Sequence, residues 1–134
     1  MGRKRLDSEY LLPKDIYMST LWYIRGYYRW KLQREEVLEG SPPPPDGQPR
    51  GSTPGDPTYR AAARLVPIGD KLKPIEDALL EIPEEYREGI LAAIIERQRY
   101  PDYAAVTTWK RWRQRLVYHT AINLGYYQPK KISK

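Results

Sequence analysis

Residues 106–116, VTTWKRWRQRL, set four cations, Lys110, Arg111, Arg113 and Arg115, around two tryptophans and behind a pair of threonines. Guanidinium and ammonium groups at that density suit a phosphate backbone, and Arg and Gln are the side chains that read guanine and adenine bidentately in a major groove. On a helical wheel, at about 100° per residue, the stretch separates into two faces. Trp109, Leu116, Val117, Thr120, Ala121 and Leu124 share one side and are expected to pack on the preceding helix. Arg111, Gln114, Arg115 and Tyr118 follow the spacing i, i+3, i+4 and i+7 on the opposite side, with Lys110 at its margin. Trp112 lies near the boundary. Arg113 falls in the apolar half, where its stem can cover apolar surface while its head reaches water. A solvated basic face on a structural helix is the alternative. What favours ligand binding is the coincidence of three features: a hydroxyl cap at Thr107 or Thr108, a preceding helix across a short turn, and the most basic part of the chain, which together are the arrangement of a helix-turn-helix.

Other chemistry has little to build on. His119 is the single histidine and there is no cysteine, so a histidine dyad, a thiolate metal site and a disulfide framework are all excluded. His119 is expected to be a packed edge residue. Glu35 and Glu36, Glu76 and Asp77, and Glu84 and Glu85 are sequence neighbours, which do not face one another on a helix; they read as solvated faces and dipole partners. The glycines form neither a phosphate-cradling loop nor a dinucleotide fingerprint. Twelve tyrosines could stack on single-stranded bases, but in a chain without phenylalanine they are the ordinary aromatic core and interface residues. No enzyme and no cofactor are expected.

Charge is segregated along the chain. Residues 97–134 carry nine cations against Asp102 alone, a net of +8, whereas residues 65–96 carry three cations against eight carboxylates, a net of −5. A basic end of this kind gains from displacing the counterions of a polyanion. The longest apolar run, residues 90–95, is far shorter than the ~18 residues of a membrane span, and no signal-like segment follows the basic start, so a soluble, cytoplasmic protein is expected. MGRKRL opens like a myristoylation signal, but Leu6 stands where Ser or Thr is needed.

The elements that must position the basic face are helical. The spacing predicts an all-α fold: a helical bundle with long antiparallel N-terminal helices and a C-terminal helix-turn-helix-like pair. A basic arm, 1–12, precedes a long helix, 13–39, whose Tyr17, Leu21, Ile24 and Tyr28 form one stripe. Its off-stripe Trp22, Tyr23, Tyr27 and Trp30 call for a second covering helix or subunit. The Pro/Gly-rich residues 40–58 form a linker. A second long helix, 59–82, presents Leu65, Ile68, Leu72, Ile75, Leu79 and Ile82 as a seam for the first, with a kink expected near 66–69 because Pro67 and Pro74 interrupt it. Pro83 restarts a helix to about Arg97, with Glu84, Glu85 and Glu88 toward its positive end. The last helix runs from Thr107 to Gly125; residues 83–125 form the DNA-binding region and 126–134 a basic tail.

IEDALLEIPEEYREGILAAII followed by VTTWKRWRQRLVYHTAINLG resembles the promoter-reading end of sigma factors, where an Ile-Pro or Leu-Pro turn precedes the DNA-binding helix pair. It is also similar to the RinA and ArpU type phage transcription regulators, whose last helix runs Thr, aromatic, basic and closes as Ala121, Ile122, Asn123, Leu124, Gly125 does here. The resemblance covers most of residues 46–125. It implies sequence-specific binding of double-stranded DNA that activates or times phage gene transcription in the bacterial cytoplasm. A homo-oligomer, a dimer, is expected from the apolar circumference of the first long helix, and protein-only binding to RNA polymerase through the acidic middle is a further reading compatible with the DNA-binding one. Between Arg97 and Thr107, where that family holds a short helix, QRYPDYAAV has room for barely one turn. The residues expected on DNA are Thr107, Thr108, Lys110, Arg111, Arg113, Gln114, Arg115 and Tyr118, with Lys130 and Lys131 adding phosphate attraction. The alternatives are an oligomeric packaging component similar to a terminase small subunit, and a helical adaptor protein.

Overall fold

The computed structural model describes residues 8–40 and 57–129. The basic arm up to Asp7, most of the 40–58 linker, and Lys130 and Lys131 lie outside the described residues. Among the described residues there is no strand. A 3-10 turn, Ser8–Tyr10, is followed by five helices: α1 Lys14–Ile24, α2 Tyr27–Gly40, α3 Pro57–Leu79, α4 Glu84–Glu96 and α5 Val106–Leu124. The protein is all-α.

Two compact units divide the chain, Met1–Tyr27 with Pro74–Lys134, and Tyr28–Lys73. In the first, α1, α4 and α5 pack against one another as a bundle. Its core gathers Ile24, Ile75, Ile82, Ile90, Trp109, Leu116 and Val117, all essentially without solvent exposure. Thr20 and Thr120 are buried among them and satisfy their hydroxyls one turn back, on the carbonyls of Ile16 (2.7 Å) and Leu116 (2.8 Å). Arg25 Nε donates to the Ile94 carbonyl at 3.1 Å, placing a cation where the last turn of α4 leaves carbonyls without helical partners. In the second unit, Trp30, Val37 and Leu72 are buried, and Lys71 Nζ lies 5.7 Å from the Trp30 ring centroid.

Four expectations about the helices are corrected. The long helix 13–39 is two helices, broken at Arg25 and Gly26; glycine has low helix propensity, and the Gly26 amide turns back to the Tyr23 carbonyl at 3.0 Å. The second long helix is instead continuous through Pro67 and Pro74, starting at Pro57 and ending at Leu79. The carbonyls four residues before these prolines belong to Ala63 and Asp70, both exposed, so water can take the place of the missing amides. Its seam is buried only from Leu72 onward, Leu65 and Ile68 being half-buried, and α1 packs chiefly on α5 and α4 rather than along that seam. Finally, α5 starts at Val106 with Ala105 as the extended entry residue and no side-chain cap, so Thr107 and Thr108 lie inside its first turn, where a hydroxyl cannot cap.

The other ends lie close to where proline and glycine put them. Pro83, φ −56°, leads into α4, with Glu84 and Glu85 in its first turn. Gly125, φ 79°, closes α5: its amide bonds to the Ile122 carbonyl at 3.0 Å and that of Tyr126 to the Ala121 carbonyl at 2.9 Å, the paired bonds of a left-handed helix stop.

Candidate nucleic-acid interface

The geometry of α4 and α5 is fixed by Trp109. Its indole is fully buried and lies on α4 at Gly89, where a β-carbon would come within 2.8 Å of two indole carbons and 3.1 Å of Pro101 Cδ. Tyr100 stacks parallel on Trp109 (5.6 Å, 4°), and Tyr86 and Tyr103 meet it edge-on at 5.0 and 5.3 Å. Tyr86 also stacks with Trp112 at 6.0 Å, and the Tyr103 hydroxyl donates to the Glu85 carbonyl at 2.6 Å. The connection 97–105 contains no helix, yet its two tyrosines and its proline are packed against the helices it joins. Rings do there what a short helix would otherwise do. Sequence reasoning treated the tyrosines generically and missed this cluster; the signal that could have found it is Gly89, a lone glycine inside a helical pattern, which usually has a packing reason.

The two faces of α5 have different surroundings. Trp109, Leu116, Val117, Thr120 and Ala121 are buried and Leu124 is half-buried, so the side expected to pack does pack. At the front of the other side Thr107 and Lys110 are exposed, while Thr108 and Arg111 are half-buried. Further along, the face is occupied by the chain's own start. Gln114 Nε2 donates to the Tyr10 carbonyl at 3.3 Å, and the Arg115 guanidinium lies 4.6 Å from the Tyr10 ring centroid and 5.0 Å from that of Trp112. Tyr10 meets Tyr118 edge-on at 5.1 Å and His119 at 5.9 Å. Gln114, Arg115 and Tyr118 are thus brought together around Tyr10, whereas Arg113 stands on the core side, half-buried.

Electrostatics follow the burial. Desolvation lowers the His119 pKa below 6.5; Arg115 adds to this and Glu81 opposes it, so the imidazole is neutral at physiological pH. Burial raises the Tyr118 hydroxyl, with Tyr127, Tyr10 and Glu9 adding to the effect. Burial also raises the Tyr100 hydroxyl, with Arg113 pulling the other way, and both phenols remain neutral donors. Among the described residues no three His, Asp or Glu side chains stand together as metal ligands, and no helix is long and apolar enough to cross a membrane. The chain matches no known protein family, no curated protein and no solved structure.

Proposed function

We propose that this protein is a sequence-specific duplex-DNA-binding transcription regulator of the phage type, with α4 and α5 as its helix pair and no enzymatic activity. One observation carries the reading: α5 is locked into the core along one side while the first turns of its other side expose Thr107 and Lys110, with Arg111 half-buried beside them. Helices that enter a major groove contact base edges with the residues of their N-terminal turns. Lys110 and Arg111 are assigned to the groove. Arg115 and Gln114, engaged with Tyr10, join them only when the N-terminal turn moves, and Lys130 and Lys131 add phosphate attraction. The acidic residues 65–96 are the part suited to a protein partner such as RNA polymerase. Met18 and Trp22, one turn apart on α1 and exposed, Trp22 to 64 %, favour a second copy as the subunit partner.

The test is a titration against a pool of random duplexes at two salt concentrations, with sequencing of the retained DNA. An enriched motif and a steep loss of affinity with salt are expected. Lys110→Ala with Arg111→Ala should weaken binding at least tenfold and leave helicity unchanged. Retention without enrichment would point to packaging, in line with a terminase small subunit, and sedimentation would then have to find a ring instead of a dimer. No retention at low salt would reject DNA as the partner.

A further inference from the structure

The core side of α5 carries a second basic feature. A cleft of about 470 Å³ is lined by Arg97, Gln98, Arg99 and Tyr100 from the end of α4 and the connection, and by Val106 and Arg113 from α5. No carboxylate lines it. Arg97 and Arg99 are exposed and Arg113 is half-buried, so three permanently charged guanidinium groups border one cleft, a setting that favours a bound anion. Two buried donors add a demand of their own: Arg113 Nε and the Tyr100 hydroxyl are both shielded from solvent and without a hydrogen-bond partner, a condition that folded proteins seldom leave unmet. The backbone points the same way. Arg97 stands at φ 60°, the only non-glycine residue among those described with positive φ, at a helix end where glycine is the usual occupant. Holding arginine there keeps a guanidinium at the cleft at the cost of backbone strain.

We propose that this cleft is a binding site for the phosphate group of a small phosphorylated ligand. Arg97, Arg99 and Arg113 supply charge and N–H donors. The volume lies within the range of small-molecule sites and well above that of the phosphate alone, so the ester's organic part lies in the same cleft, with Val106 as an apolar wall. The phosphate comes from a free ligand rather than from duplex DNA, a choice that rests on the function proposed above. Arg113 is two residues from Arg111 and from Arg115, about 160° around the helix, so a duplex on the outer face cannot also fill the cleft.

Calorimetric titration of the full chain with inorganic phosphate, adenosine 5′-monophosphate and adenosine tests this. The two phosphates should bind saturably and adenosine should not. Arg97→Gly, which removes a guanidinium at a backbone conformation glycine adopts without strain, and Arg99→Gln should each weaken phosphate binding at least fivefold with the melting temperature preserved. Lys110→Ala with Arg111→Ala should leave phosphate binding intact. Absence of saturable binding, or equal binding by the Arg97 and Arg99 variants, overturns the site. A random-sequence duplex that displaces phosphate, and binds more weakly to those same two variants, would assign the cleft to a DNA phosphate and overturn the free ligand. Phosphate binding without any duplex binding would sustain the cleft while removing the DNA reading.

Discussion

Gly89 decides how close α5 can come to α4. Two opposing effects act on Gly89→Ala: alanine is the better helix former by about 1 kcal/mol, and the added methyl would lie 2.8 Å from a ring that is fully buried. The second should win. Trp109 cannot retreat, because Tyr100 covers it in parallel and Tyr86 and Tyr103 close on it edge-on, and Pro101, at 3.1 Å, is rigid as well. Overpacking of such a site typically costs about 1–3 kcal/mol, so the variant should lose roughly 1–2 kcal/mol net and show altered near-ultraviolet dichroism from its tryptophan. A variant that melts higher than the parent would show that the ring has room to move. The same residue marks the limit of what was legible. Trp109 was readable as a core residue from its place on the wheel. Its neighbours Tyr100 and Tyr103 were not, since they sit in a segment without periodicity and gain their partners only through the tertiary fold.

At the scale of elements, the N-terminal turn is the piece with the most contacts that sequence could not foresee. Tyr10 lies against a face of α5 more than 100 residues away in the chain, and no local pattern announces such a partnership. Helix ends were more legible, because Pro83 and Gly125 act through their own backbone; the two prolines within α3 misled for the complementary reason, their penalty being relieved by solvent at Ala63 and Asp70. His119, beside Tyr10, gives the bundle a pH dependence. With its folded pKa below the 6.5 of the exposed ring, His119 binds a proton more readily in the unfolded chain. The resulting stability is fully present above about pH 6.5 and is lost as pH falls through the folded value. Thermal melts between pH 7.5 and 5 should show this loss. Tyr10→Ala, which removes the ring beside His119 and Arg115, should lower the melting temperature at neutral pH and flatten the acid dependence. An unchanged slope would mean that the desolvation of His119 comes from the bundle and owes nothing to the turn.

For the whole molecule, the division into two units carries an expectation about cooperativity. The bundle unit holds most of the buried apolar side chains, from Ile24 and Ile75 through Ile90, Ile94, Trp109, Leu116 and Val117, together with the aromatic cluster. The Tyr28–Lys73 unit buries Trp30, Val37 and Leu72 but leaves Leu32, Leu38, Tyr59 and Val66 exposed, and Pro67 removes a backbone hydrogen bond from its stretch of α3. Local opening is cheapest where buried contacts are few and backbone bonds meet solvent. Native-state hydrogen exchange should therefore find the amides of α2 after Tyr28, and of α3 before Lys73, opening at a free energy below that of α1, α4 and α5. The slowest amides should lie around Ile90 and Leu116. Equal protection across both units would mean that the chain unfolds as one cooperative body, so that a variant in α2 would disturb the basic face as much as one in α4. Unequal protection would let α2 and the front of α3 rearrange for a partner while α5 keeps its orientation, which the DNA-reading role proposed for α5 requires.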